Sequence, residues 1–241
     1  MHILELHLTA RDLEGQHAFY RDVLGLPVVE ETPSYFAVQA GTTKLVFEAV
    51  PGTQGLYHFA FNIPENRLAE AKSWLAGRTP LLSEEGEDEF ESERWNAHMV
   101  YFRDADGNVL EFVARHDLDN GAPDDFGPSA LLNVSEIGLP VWDVPEGVRW
   151  LSEALSLDPF REVSSTFAPL GDQHGLFIVV PVGRPWFPTR DGATVLPLTV
   201  VLATQQEGTL SAAGLPYLIR SEKEPPAGGN RTPSPAARRP G

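Results

Sequence analysis

His98-Met99-Val100-Tyr101-Phe102-Arg103-Asp104-Ala105-Asp106-Gly107-Asn108-Val109-Leu110-Glu111-Phe112-Val113-Ala114-Arg115 reads as two strands closed by a tight turn. Asp106, Gly107 and Asn108 are the residue types that tolerate positive φ, so the hairpin has a physical cause. Glu111 breaks the pattern, because it stands between Leu110 and Phe112 on a segment expected to be buried. A carboxylate there needs a partner, since an unpaired buried charge costs several kcal/mol or shifts its pKa. A metal ion is one such partner.

The composition around this hairpin narrows the function. With 241 residues and 42% hydrophobic content, the chain is long enough for one large or two small domains. Eighteen basic against 34 acidic residues give a net charge of −16. That balance argues against nucleic acid and against an anionic membrane surface as partners. The absence of cysteine removes disulfides, thiolate catalysis and Cys-ligated zinc. No signal-peptide pattern and no long apolar run is present, so a cytoplasmic location is expected.

Upstream of the hairpin, residues 3–9 alternate as a strand, and Asp12 is placed to cap a helix over 13–24 that stops at Gly25. Short strands are expected at 27–31, 35–39 and 44–50. The pattern then repeats, with a strand at 57–63, a helix from 64 to 77, a short strand at 79–83 and the hairpin. Glu84–Glu93 carries seven acidic residues in ten and reads as a solvated loop, with a flap over a pocket as the alternative. Downstream, Asp143 placed on Asp12, 131 residues away, aligns a third unit without gaps: Glu136 falls on Glu5, Leu139 on Leu8 and Trp150 on Phe19. A fourth, partial unit is expected as a strand at 194–203, a weak helix at 206–213 and a last strand at 217–220. Internal repetition of this kind organises the whole chain. The expected fold is α+β, tandem βαβββ units in curved mixed sheets. One complete two-unit domain is expected over 1–117, a linker over 118–128 and a degenerate second copy over 129–220. A tail over 221–241, too poor in apolar residues to offset its ordering entropy, is expected to be disordered.

Glu5, His7, Glu48, His58, His98 and Glu111 are the polar residues among apolar neighbours on these strands. If the first two units share one curved sheet, Glu5 or His7 would converge with Glu48, His58 and Glu111. Imidazoles and carboxylates together form an N/O set suited to Fe, Mn, Ni or Zn. Open positions on such a metal would take substrate oxygens.

The run Asp12-Leu13 to Leu26 and the ending Asp104-Ala105-Asp106-Gly107-Asn108-Val109-Leu110-Glu111 resemble the vicinal oxygen chelate superfamily. That group includes glyoxalase I, extradiol dioxygenases, and fosfomycin and bleomycin resistance proteins. The resemblance covers residues 3–115 well and 133–203 weakly, with Ala105 in place of the usual proline. It implies a divalent-metal cofactor and a small-molecule substrate. It implies Glu111 and His58 as metal ligands, with Glu48 as an extra carboxylate. Seven residues before Asp12, where the family has histidine, stands Glu5. His7 lies on the same face about 6–7 Å further on, so either residue is the first-strand candidate. His98 and Glu48 are candidate proton-transfer groups, and Trp95 and Arg184 are candidate substrate contacts. The leading reading is a metal-dependent lyase, isomerase or ring-cleaving dioxygenase acting on a small oxygenated metabolite. The alternative is a metal-free binding protein like the bleomycin-binding members. The incomplete fourth unit leaves a sheet edge that a homodimer would cover.

Overall fold

The computed structural model describes residues 1–123, 125–204, 206–211 and 214–223. Four units follow one another along the chain. The first comprises β1 (His2–Ala10), α1 (Leu13–Ala18) continued by a π-helical turn (Phe19–Val23), β2 (Val28–Glu31), β3 (Tyr35–Ala40) and β4 (Thr43–Ala49). The second comprises β5 (His58–Ile63), α2 (Leu68–Ala76), β6 (Phe90–Ser92), β7 (Ala97–Arg103) and β8 (Val109–Arg115). The third comprises β9 (Asn133–Val141), α3 (Val144–Leu155), β10 (Ala168–Asp172) and β11 (Gly175–Pro181). The fourth has only β12 (Leu198–Thr204), β13 (Gly208–Ser211) and β14 (Tyr217–Lys223) among the described residues.

The repeat is visible in the helix starts. The Gly15 amide donates to Asp12 at 3.0 Å, and the Glu146 amide donates to Asp143 at 2.8 Å, each satisfying an orphan N–H of the first turn. The helix expected over 13–24 does not stay α-helical. Leu24 N–H reaches the Phe19 carbonyl at 3.0 Å, and the widened turn buries both Phe19 and Tyr20.

The strands form two seven-stranded sheets among the described residues. The first runs β13-β14-β12-β1-β4-β3-β2 and the second β10-β11-β9-β5-β8-β7-β6. Each sheet therefore joins a unit from the first half of the chain to a unit from the second half. The seams are antiparallel: β1 pairs with β12, and β5 pairs with β9. The first two units do not share one sheet, because β1 and β5 each pair on one side with a strand from beyond residue 132. Gly41, at φ +57, lets this happen closely: a Cβ there would lie 1.9 Å from the Leu132 carbonyl oxygen.

Strand alternation divides the second sheet. Phe59, Phe61, Leu110 and Phe112 enter a large core shared with the first sheet and the helices, while Ala60, Val109, Val113 and Leu176 face the opposite side. Glu111 lies on that opposite side. Local pattern misled in three places. The stretch at 79–83 makes only an isolated bridge, Leu81 to Phe102. The weak helix expected at 206–213 is instead β13, whose residues Gly208–Ser211 pair with β14; residues 205, 212 and 213 lie outside the described residues. Ser221–Lys223, assigned to the tail, continue β14, because β12 offers ladder partners as far as Thr204. The rest of the tail, 224–241, also lies outside the described residues.

Candidate metal centre

β5, β8 and β9 are neighbours in the second sheet, and their shared face holds three buried donors: His58, Glu111 and Glu136. Ala60 registers with Glu111 on one side and Glu136 on the other, so the small side chain separates two carboxylates. One donor atom from each of His58, Glu111 and Glu136 lies within 4.8 Å of the others. His58 Nδ1 is 3.0 Å from the Val109 carbonyl. A carbonyl only accepts, so Nδ1 carries the proton and Nε2 presents its lone pair, 3.8 Å from a Glu111 oxygen. This backbone-oriented tautomer is the usual preparation of a ligating histidine.

Burial controls the charges. It pushes the Glu111 carboxyl well above the ordinary carboxylate range, and the neighbouring charge of Glu136 adds to this, against the pull of Arg115 and Tyr101. Burial raises Glu136 as well, opposed by Arg115. Arg115 is fully buried; its guanidinium pairs with Glu136, its Nε donates to Asn62 Oδ1 at 3.0 Å, and it lies 5.3 Å over the Trp95 ring. Burial brings His58 down to about 4, the Val109 hydrogen bond opposing this and the Arg184 charge contributing to it. Neutral His58 therefore stabilises the fold fully above its unperturbed value of 6.5, and that contribution is lost as pH falls toward 4. In metal-free protein this is worth up to about 3 kcal/mol. Melting temperatures followed across that window are expected to fall less in His58→Gln than in the parent, and equal acid slopes would contradict the assignment.

The donors line a cavity of about 780 Å³. Its walls are aromatic: Phe90, Trp95, Tyr101, Phe167, Trp186 and Phe187. Trp186 comes from the loop after β11 and lies on the His58 imidazole with ring centroids 4.7 Å apart. Gly138 on β9 makes room for it, since a Cβ there would meet the indole at 2.6 Å. Glu84, Glu85, Glu87, Glu89 and Glu91 form one side of the lining, so the acidic stretch is a wall of the cavity and not only a solvated loop.

Of the residues singled out from sequence, His58, Glu111, Trp95 and Arg184 meet in this cavity. His7 and Glu48 do not, because β1 and β4 belong to the first sheet. His7 Nε2 is 2.9 Å from Glu5, and Glu48 is exposed. His98 also misses the cavity: it is three residues from Tyr101 on β7, hence on the other face, where its Nδ1 lies 2.8 Å from His116 Nε2. Tyr101 takes the cavity side, directly across the ladder from Glu111.

The ladders show what the first sheet has in place of this centre. Val201 occupies the place of Ala60, flanked by Glu5 and Arg220 where Ala60 is flanked by Glu136 and Glu111; Thr199 falls where His58 would be. Lys44, in register with Glu5, pairs with it at 3.0 Å. Against its burial, His7 and Lys44 hold the Glu5 carboxyl below its usual range. Arg220 there stands in place of Glu111, and Lys44 in place of Leu176, so the one remaining carboxylate is neutralised. Glu136 was the donor missed from sequence, although the 131-residue offset placed it on Glu5 and pointed to it.

An α+β fold of βαβββ units that holds an imidazole and two carboxylates at the floor of a cavity is the framework of a small-molecule site. Residues 2–112 match the model of the Glyoxalase/Bleomycin resistance protein/Dioxygenase superfamily, so the first two units are similar to that family. No curated protein matches the chain. Among solved structures, a putative dioxygenase from Bacillus subtilis subsp. subtilis str. 168 is 16% identical, covering 92% of this chain and 85% of that one at a TM-score of 0.64. Glyoxalase I from Zea mays is 14% identical, covering 83% and 74%, at a TM-score of 0.52. At these identities the likeness is one of fold. No helix among the described residues is long and apolar enough to cross a membrane.

Proposed function

We propose that the protein is a metal-dependent enzyme of lyase or isomerase type, which moves a proton on a small oxygenated molecule held in the cavity. The observation that carries this reading is the buried His58–Glu111–Glu136 group. Two buried carboxylates face a single buried guanidinium, and the imidazole turns a lone pair toward them. With both carboxylates ionised that set would be short of one positive charge, and it offers three N/O donors, which fits a divalent Fe, Mn, Ni or Zn ion. When bound, such an ion supplies Lewis acidity that favours the enolate form of a chelated carbonyl substrate. One imidazole with two carboxylates resembles the glutamate-rich sets of proton-transfer enzymes more than the two-His-one-carboxylate set of oxygenases. Burial beside Glu111 raises the Tyr101 phenol well above its usual range, so it remains an O–H donor for a substrate oxygen. Trp186 and the aromatic walls keep water from the donors.

A second reading, metal-free binding of a small molecule, draws on two features. Arg115 already engages Glu136, and Leu176 stands in register with Glu136 on β11, where a fourth donor would otherwise face it. Metal analysis of protein purified without added metal or a metal-binding tag separates the two. Near-stoichiometric metal is expected in the parent and in Glu5→Ala, and loss of it in His58→Ala and Glu111→Ala. A parent that neither contains metal nor takes it up on titration would overturn the enzyme reading.

A further inference from the structure

Arg184 follows Gly183 in the loop between β11 and β12 and reaches the cavity lining, with its guanidinium 5.0 Å over the Phe167 ring. The one hydrogen bond of its guanidinium among the described residues is to the Pro185 carbonyl, at 3.4 Å. Among the described residues it has no carboxylate partner, whereas Arg190 pairs with Glu84, Arg103 with Asp191, Arg161 with Asp117 and Arg115 with Glu136. In a chain with 34 acidic and 18 basic residues, carboxylates are not scarce. Burial lowers the affinity of Arg184 for its proton, yet a guanidinium keeps its charge at neutral pH. Arg184 lines the same cavity as His58, Glu111 and Glu136. A half-buried cation with its fork unfilled, beside the donor group, is built to receive an anion.

The walls define the rest of the ligand. Six aromatic side chains suit a flat apolar body, and about 780 Å³ accommodates a molecule of one or two rings. The five glutamates of the acidic wall, Glu84 to Glu91, oppose any second negative charge. We propose that Arg184 anchors a carboxylate and that the cavity selects aromatic molecules bearing a single negative charge. The proposal rests on the reading of this cavity as the substrate site, but not on metal being present.

Calorimetric titration of the full chain, as purified and after chelation, with naphthoate, neutral naphthamide and dianionic naphthyl phosphate tests it. Naphthoate is expected to bind about 10- to 100-fold more tightly than either of the others. Arg184→Gln should bring naphthoate to the level of naphthamide while leaving metal content and melting temperature at parent values, and Arg184→Lys should recover part of the preference. Equal binding of naphthoate and naphthamide, tighter binding of naphthyl phosphate, no millimolar binding by any of the three, or a preference that survives Arg184→Gln would each overturn the proposal. A carboxylate preference in protein that never holds metal would refute the metal-dependent reading and leave this one standing. Metal without the preference would do the reverse.

Discussion

Arg115→Ala is expected to destabilise the metal-free protein by about 3–5 kcal/mol, the cost of breaking a buried ion pair by removing one partner. The side chain is fully buried, and its charge is the one that opposes the burial of both Glu111 and Glu136. Without it the two carboxylates are left with each other, and Asn62 and the Trp95 face lose their contacts. Denaturant unfolding of the chelated protein measures this. Arg115→Met, which keeps most of the packing volume, separates charge from cavity. Combining it with Glu136→Gln should recover much of the loss, because the unpaired carboxylate is then gone. A loss below about 1 kcal/mol for Arg115→Ala would mean that the carboxylates are already neutral and that the guanidinium does little for them.

Asp104→Ala should cost a similar amount, about 3–5 kcal/mol, for a different reason. Asp104 follows β7 and is buried, with five donors on its two oxygens. The amides of Asp106 and Asn108 reach Oδ1 at 3.1 and 3.0 Å. Gln16 Nε2, the Tyr20 hydroxyl and Asn108 Nδ2 reach Oδ2 at 2.8, 2.9 and 2.7 Å. Alanine would leave all five without their acceptor, four of them buried. Asp104→Asn, which keeps one carbonyl acceptor, is expected to fall between the two. If thermal unfolding showed both variants at the parent's stability, the hub would be dispensable. The Asp104 to Glu111 stretch thus does two jobs: its first carboxylate ties the hairpin turn to the first helix, and its last belongs to the donor group.

The sequence made the hairpin, the turn residues, Glu111 and His58 legible, because each shows as a local conflict or a local pattern. A carboxylate between Leu110 and Phe112 needs an explanation whatever the fold. The partner of each unit was not legible. β1 and β5 both present an alternating strand with an open edge, and nothing in residues 1–117 says whether those edges meet each other or strands from the second half. That choice decided the third donor, so Glu136 replaced Glu5 and His7. His98 failed on parity, since one residue along a strand reverses the face. Arg184 was a candidate substrate contact from sequence; that Trp186 would lie on His58 while Arg184 lay over Phe167 depended on packing across the cavity.

The crossed pairing of the sheets also sets an order of assembly. On a chain emerging from the ribosome, β5 waits about 75 residues for β9, whereas β1 waits about 200 for β12. The second sheet, donors included, is able to close while the edge of β1 is still bare. A nascent chain at that stage carries a finished cavity beside an open strand, the kind of edge that recruits other chains. Interruption late in synthesis would therefore leave a species able to bind ligand yet prone to aggregate, while one ending at residue 117 would hold two donors and neither seam.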